Sequence, residues 1–375
     1  MTQTSEAKKR TVCLVAISLT NGGAERSSAL LSKMLVNEGF EVHIVLLTDE
    51  VGYEYSGTLF SLGKRKKKWG VFSTISRLLK FRNYLIKHKF DYIIDNRTRS
   101  SAIKESIYSG FLYKGNKIIY VVRSCNLDLY FPKQKSIAIK QIRKACHYIG
   151  VSKAIVEKIK QEYNITNVSH IYNPVPLEKI KMLANETNIQ VEVQKLDSLF
   201  IMSLGRLDEP VKNYTLLLEA YKKSKLLENN ICLKIIGKGP DEKLIQGKIQ
   251  QLDLDGYVEI IDFTNNPFPW LKNARFTVLT SRFEGFPRVL IESLACETPV
   301  VSVDCVSGPS EIVQHQKNGL LVPNNDVDAL ANAMDNLIFD ETLYKKCKNS
   351  ARESVLHLDL AIISKQWKQL LIEKK

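Results

Sequence analysis

No run of roughly 20 apolar residues occurs anywhere in the 375-residue chain, so no membrane-spanning helix is expected. The opening stretch MTQTSEAKKR has no apolar core of the kind a secretion signal carries. Cysteines are few and unpatterned. The seven (Cys13, Cys125, Cys146, Cys232, Cys296, Cys305, Cys347) are odd in number, dispersed and never spaced Cys-x-x-Cys. That distribution argues against a zinc site or a disulfide frame, and for reduced thiols in a cytosolic setting. G-x-G-x-x-G is missing and no acidic ribose reader closes the second strand candidate, which removes the dinucleotide fingerprint. Short-period repeats and low-complexity tracts are absent, KRKKK (64–68) apart.

Acidic residues are scarce in one half only. Residues 1–172 hold 29 Lys and Arg against 13 Asp and Glu, a net of +16, whereas the remainder holds 25 against 27, a net of −2. A basic half implies an anionic partner, either a membrane surface or nucleic acid, unless the charge merely solvates the surface. With 44% hydrophobic and 25% charged residues, the chain is globular, and its length fits two domains.

What is present is a double series of short β-branched runs alternating with helical patterns. The first comprises TVCLVAI (11–17), a helix from GGAERSSALLSKMLVNEG (22–39), EVHIVLL (41–47), DYIID (91–95), KIIYVV (117–122) and HYIGVS (147–152). The second comprises LFIMSLG (199–205), a helix over 213–225, ICLKIIG (231–237), a helix over 241–251, YVEII (257–261), RFTVLT (275–280), PVVSV (299–303) and an amphipathic helix over 326–339. Strands alternating with helices predict βαβ units and parallel sheets. Between the series, Asn173, Pro174 and Pro176 favour extended or turn geometry, and a polar stretch follows. The expected division is 1–172, a linker over 173–197, and a second domain over 198–350. A cleft between two doubly wound domains is the expected ligand site.

Several loops at strand ends carry chemistry. In SLTNGGAER (18–26), Gly22 and Gly23 open the first helix, where they either let backbone N–H groups approach an anion or simply form a tight turn. GRLDEPVKN (205–213) ends a strand with Gly205 and flanks a turn with Arg206 and Lys212, a fork-shaped donor and a point charge suited to a diphosphate. Gly237 and Gly239 in IIGKGP permit close approach to a base or sugar, or form the turn. SGPSEIV (307–313) offers backbone donors to phosphate, or a helix cap at Ser310 with Glu311 in the first turn.

SRFEGFPRVLIESLACETPVV (281–301) sets the sharpest question, because Glu284 and Glu292 stand in a segment that otherwise reads as buried. Buried carboxylates need partners. Pro287 suits the first turn of a helix, which puts Glu284 in the loop before it and Glu292 about five residues inside, about 7.5 Å along the axis. Ionised carboxylates are acceptors only, so each can hold sugar hydroxyls. The bland alternative for Glu292 is an i−4 pair with Arg288. DLD (253–255) and DVD (326–328) mimic a metal-binding D-x-D but fall at a helix end and a helix start, and read as structural.

In this order, GGAER, IYNPV, GRL…KN, GKGP, TSRFEGFPRVLIESLACETPVVS, GPSEIV and NGLLVP resemble the retaining glycosyltransferases of family 4, over nearly the whole chain. The resemblance implies the GT-B fold: an α/β architecture of two Rossmann-like doubly wound domains facing each other across a cleft. For such a chain, residues 351–375 are expected to form a C-terminal helix packing back on the first domain. By matching position, Gly22 and Gly23 would face the donor phosphates or transferred sugar, and Arg206 and Lys212 would neutralise the diphosphate. Glu284 would hold hydroxyls of the sugar and Glu292 those of the ribose, with Gly205, Gly285, Phe286, Pro287 and Arg288 completing the donor site. The family acts generally without a divalent metal in this role, so no metal and no cofactor are expected. The donor is a nucleotide-diphosphate sugar, with UDP favoured and GDP the second choice.

The sequence departs from the family pattern at three places. Glu297 replaces a usual glycine. Arg288 replaces a small or neutral residue and bears on donor-sugar choice. RSCN (123–126) stands where relatives often place a histidine, leaving Arg123 and Asn126 as the acceptor-side candidates. For the acceptor itself, KRKKKW (64–69) precedes a helix over 73–89, with Ile75, Leu78, Leu79, Leu85 and Ile86 as core stripe and Arg77, Lys80 and Lys87 outside. That combination suits a lipid-linked or glycan acceptor and peripheral attachment to anionic lipid on the inner face of the cell membrane. The rival readings are a GT-B sugar-nucleotide epimerase or hydrolase, and a basic nucleic-acid-binding protein. The latter lacks a recognisable motif, so no nucleic-acid partner is expected.

Overall fold

Thr11–Ala16 (TVCLVA) is buried along nearly its whole length, which a strand sustains only when both faces of its sheet are covered. In the computed structural model, which describes residues 9–20, 22–63, 70–186 and 199–373, this strand is β1 of a seven-stranded sheet. The others are β2 Glu41–Leu46, β3 Thr58–Ser61, β4 Tyr92–Asp95, β5 Ile118–Val122, β6 Ala145–Gly150 and β7 Val168–His170, ordered β3-β2-β1-β4-β5-β6-β7. All pairings are parallel. Parallel neighbours need crossovers, which the helices Gly23–Asn37, Val71–His88, Lys135–Lys144 and Lys153–Tyr163 supply.

The second sheet repeats the winding with β8 Phe200–Leu204, β9 Cys232–Ile236, β10 Val258–Ile261, β11 Thr277–Leu279, β12 Val300–Asp304 and β13 Gly319–Pro323, ordered β10-β9-β8-β11-β12-β13. Its pairings are parallel too. Its core gathers Ile201, Leu217, Tyr221, Ile235, Val301 and Met334. Each fully buried aliphatic side chain contributes about 2 kcal/mol. In both sheets the strand order reverses beside the first strand, between β1 and β4 and between β8 and β11. Such a switch point opens a crevice at the carboxyl ends of the strands, where ligands bind in open α/β sheets.

The chain divides into two units, residues 1–174 with 360–375, and residues 175–359. The helix Leu360–Glu373 belongs to the first, where Ser364 Oγ and Lys368 Nζ donate to Glu38 at 2.9 and 2.8 Å. The helix Glu341–Ser354 stays with the second, which therefore runs past residue 350.

Two readings of the sequence need revision. Part of the expected linker is the helix Leu177–Ala184, whose buried Leu177, Ile180 and Ala184 belong to unit 2. Pro176 is its N-cap, so the prolines end the irregular stretch sooner than their reach suggested; residues 187–198 lie outside the described residues. The helix Val71–His88 turns another face inward. Leu85 is buried as expected, Leu78 is half-buried and Phe81 joins them inside, while Ile75, Leu79 and Ile86, expected in the core, are about half exposed (49%, 48% and 53%). Arg77, expected outside, points in and donates to the carbonyls of Leu62 and Leu47. More than half of this helix's circumference is apolar, so periodicity alone does not choose the buried stripe. The strand β3 had no counterpart in the sequence reading, and KRKKKW (64–69) lies outside the described residues.

Candidate functional site

β8 ends at Leu204, and the chain turns through 205–208 into the short helix Glu209–Lys212. The glycines after β9 make room for that turn. A Cβ on Gly237 would lie 1.9 Å from the Gly205 carbonyl oxygen, and one on Gly239 2.1 Å from that of Leu207. Their role in this structure is thus the close packing that sets the loop carrying Lys212.

The loop after β11 is tied to it at two points. Thr280 Oγ1 donates to the Lys212 carbonyl at 2.9 Å, and the Arg282 amide donates to the Val211 carbonyl at 2.9 Å. Lys212 Nζ then meets Glu284 Oε1 at 2.6 Å, and Ser281 Oγ donates to the same oxygen at 2.7 Å. Among the described residues both bonds fall on Oε1, which leaves Oε2 as an acceptor. The Lys212 and Glu284 side chains keep 21% and 15% of their surface exposed, so the pair is reachable from solvent. A third loop, after β12, braces the turn. Ser307 Oγ donates to the Glu284 carbonyl at 2.7 Å, and Gly308, at φ +102°, comes so close that a Cβ would sit 2.5 Å from Pro287 Cδ. Gly308 is the residue ahead of the helix Pro309–Ile312, so Ser310 lies inside it instead of capping it, because Pro309 already starts the helix; Glu311 is in the first turn as expected.

Pro287 is the N-cap of Arg288–Ala295, one step earlier than its expected place in the first turn. Glu292 is the fifth residue of that helix and is buried, and Arg288 Nη2 donates to its Oε1 at 3.3 Å. The i−4 pair therefore exists. Phe286 is buried beneath the turn. Arg206, by contrast, projects into solvent at 68% exposure, with Asp208 3.8 Å away. The structure thus brings Lys212 to Glu284 and Arg288 to Glu292, and leaves Arg206 on the rim.

Two neighbouring groups stay neutral beside these charges. Burial, then Glu209 and Glu284, push the Tyr214 phenol far above its ordinary value, so it remains a donor, 3.3 Å from the Arg206 carbonyl. Burial and then Glu284 push the Cys305 thiol up to about 12. Among the described residues no group of three or more His, Cys, Asp or Glu is placed to hold a metal ion. The two D-x-D look-alikes have structural duties. Asp326 caps Val327–Phe339 through the Ala329 amide at 2.9 Å, and Asp253 adopts φ +54° just after the helix Glu242–Gln251. An open groove of about 530 Å³ lined by Glu297, Lys348, Arg352 and Leu356 lies at the other end of the Arg288–Ala295 helix, and no candidate site residue lines it. Glu297 itself adopts φ +64°, the left-handed geometry that favours the glycine usual at this position.

In unit 1, Gly22 is the extended N-cap (φ −167°) and Gly23 the first residue of Gly23–Asn37; Asn21 lies outside the described residues. The Glu25 carboxylate folds over Gly22, where an added Cβ would lie 2.1 Å from its Oε2. At the end of β4 stands a network that the sequence reading did not single out. Buried Arg97 donates Nε and Nη2 to Asp95 at 3.0 and 2.7 Å, reaches Glu105 at 3.4 Å, and stacks on the Tyr108 ring at 3.7 Å. Tyr113 Oη donates to Asp95 Oδ2 at 3.1 Å. Burial opposes the Arg97 charge, but Asp95 and Glu105 more than offset it. Burial raises the Glu105 carboxyl above its ordinary range, with Arg97 pulling it back. The available signal was DNRTRS (95–100), a polar cluster directly behind a buried strand at the switch point. Arg123, at the end of β5, donates to Asn96 Oδ1 at 2.9 Å and to Asn173, so it ties loops together; Asn126 is exposed.

Comparison with known proteins follows the same division. The family model described as Glycosyl transferases group 1 matches residues 184–354, and that described as Glycosyltransferase Family 4 matches residues 21–179. The chain is 29% identical over 374 residues to the N-acetylgalactosamine-N,N'-diacetylbacillosaminyl-diphospho-undecaprenol 4-alpha-N-acetylgalactosaminyltransferase of Campylobacter jejuni, covering 95% of this chain and 97% of that one. It is 22% identical to the amylovoran biosynthesis glycosyltransferase AmsD of Erwinia amylovora, covering 94% and 96%. Its fold matches the crystal structure of Anabaena HepE in complex with UDP at a TM-score of 0.78 and 17% identity, over 97% of this chain and 100% of that one.

Proposed function

Since the chain belongs to the family 4 glycosyltransferases, we propose that it transfers a sugar, with retention of anomeric configuration, from a nucleotide-diphosphate sugar to a lipid-linked glycan in cell-surface polysaccharide or glycoconjugate synthesis. The observation that carries the proposal is the Lys212–Glu284 pair, exposed at the β8–β11 switch point on loops locked to each other.

Transfer loosens the bond from the anomeric carbon to the diphosphate, leaving positive charge on the sugar ring and negative charge on the departing oxygen. Lys212 has three N–H donors and Glu284 engages one, so the others are available to the diphosphate. Their attraction grows as the leaving group gains charge, and one such aimed donor is typically worth about 3 kcal/mol of barrier. Arg206, exposed on the rim, closes on the same phosphates as a bidentate donor. Glu284 Oε2 takes hydroxyls of the transferred sugar. Glu292, oriented by Arg288, takes those of the ribose, and the turn at 285–288 supplies backbone donors. The retaining course rests on family membership.

A UDP-sugar is the favoured donor, supported by the UDP complex of the HepE relative in fold. An N-acetylhexosamine is the favoured sugar and a diphosphate-linked polyprenol the favoured acceptor, as in the name of the Campylobacter relative. A polyprenol-borne acceptor lies in a membrane, and we place the chain at the anionic cytoplasmic face, to which the net +16 of the first 172 residues would draw it. No helix among the described residues is long and apolar enough to cross it.

A thermal-shift panel of UDP-, GDP- and ADP-sugars identifies the donor, because a ligand bound to the native site raises the melting midpoint. Labelled sugar from that donor is then expected on a lipid-linked acceptor as the α-anomer, if the donor is α-linked. Labelled sugar that only isomerises, or is released to water, would mark an epimerase or hydrolase instead.

A further inference from the structure

The exposed apolar residues of unit 1 are not scattered. Val71–His88 leaves Phe72 90% exposed and Ile75, Leu79 and Ile86 about half exposed, at spacings that place them on one face. Beside it, Ala102–Ile107, prolonged by a wide turn over Tyr108–Leu112, exposes Ile103, Ile107 and Phe111 at steps of four. Arg82 joins the two elements, its Nη1 donating to the carbonyls of Leu112 and Lys114 at 2.9 Å each.

The charge around this face has one sign. Lys80, Lys87, Lys104 and Lys114 are exposed, and the sole acid within the two elements, Glu105, is buried against Arg97. An apolar stripe with cationic borders matches the boundary between acyl chains and anionic headgroups. A second copy of the same face would bring like charges together, which disfavours self-association. The apolar side chains also have no use in binding a nucleic-acid backbone.

We propose that this two-helix face docks on an anionic bilayer, with Phe72, Ile75, Leu79 and Ile103 seated at the acyl boundary and the lysines against lipid phosphates. The inference deepens the reading of a membrane-borne acceptor and rests on it. It assigns to unit 1 an insertion surface that charge alone did not reveal, since the sequence pattern had put Ile75, Leu79 and Ile86 in the core.

The test is co-sedimentation of the full chain with vesicles of phosphatidylcholine alone, or mixed with phosphatidylglycerol in equal amounts. The wild type is expected on the mixed vesicles and not on the neutral ones. The triple variant Ile75→Ser/Leu79→Ser/Ile86→Ser and the pair Lys80→Glu/Lys87→Glu are each expected to lose about tenfold in partitioning. Their melting midpoints and UDP-induced shifts should stay at the wild-type values, which separates lost docking from lost folding. Absence of wild-type binding to the mixed vesicles, or undiminished binding by the folded triple variant, would overturn the inference. So would a wild-type dimer in sedimentation velocity that the triple variant abolishes, because the face would then be covered by a second copy. Vesicle binding with no sugar transfer from any nucleotide sugar would leave the docking surface standing and remove the functional reading instead.

Discussion

At the switch point of unit 1, Asp95, Arg97 and Glu105 are buried and satisfy one another; at that of unit 2, Lys212 and Glu284 pair as well but keep 21% and 15% of their surface in reach of solvent. The strand order around both points is the same. Identical winding thus delivers charged residues to the same place in each sheet, and burial decides their use. A closed network of charges stiffens the scaffold, because its cation and carboxylates are engaged with one another. An accessible pair retains capacity for a ligand. The units differ outside as well: the first, with 33 Lys and Arg against 14 Asp and Glu, is strongly basic with an apolar helical face, and the second, with 21 against 26, is mildly acidic.

This contrast is broken most forcefully at Arg97. Arg97→Ala leaves Asp95 and Glu105 buried without their cation and is expected to cost about 3–5 kcal/mol in urea unfolding. A loss under ~1 kcal/mol would mean that the unit 1 network is not the structural element described.

Unit 2 should respond in the opposite currency. Glu284→Gln preserves shape but removes the charged acceptor, so kcat/KM is expected to fall roughly 10- to 100-fold, the worth of a charged hydrogen bond. The melting midpoint should barely move. Unchanged turnover would remove Glu284 from the site.

The smallest effect sharpens the comparison within unit 1. Lys368 first, and Ser364, hold the Glu38 carboxyl below its ordinary 4.5. A depressed carboxyl contributes stability that is present above pH 4.5 and is lost as pH falls through the lower folded value. The Lys368 and Glu38 side chains keep 43% and 20% of their surface exposed, so solvent screens the pair and the contribution is on the order of a few tenths of a kcal/mol. Acid titration of Glu38→Gln should lack this component of the wild-type acid limb, with turnover at neutral pH unaffected. A full wild-type acid limb in the variant would show that the bond to the C-terminal helix carries no stability.

Much of this was readable before folding. The parallel winding followed from short β-branched runs such as TVCLVAI alternating with helical patterns, since parallel neighbours need crossovers. Glu284 and Glu292 stood out because carboxylates rarely enter such segments unaccompanied. What escaped depended on tertiary partners. Arg97 meets Glu105 and Tyr108 across a turn whose path local sequence does not set. The buried stripe of Val71–His88 was chosen by its tertiary partners, such as Tyr113 against Phe81, since Phe81 and Ile75 are equally apolar. Leu177–Ala184 hid behind Pro174 and Pro176, the second of which caps the helix instead of preventing it.

Calorimetric titration of UDP into the wild type and Lys212→Ala bears most directly on the claim that unit 2 holds the donor at its switch point. Tight binding by the wild type, weakened about tenfold or more in a variant that still melts cooperatively, is the expected result. Equal affinity in the two proteins would contradict it, because a diphosphate seated on these loops cannot be indifferent to the cation beside Glu284.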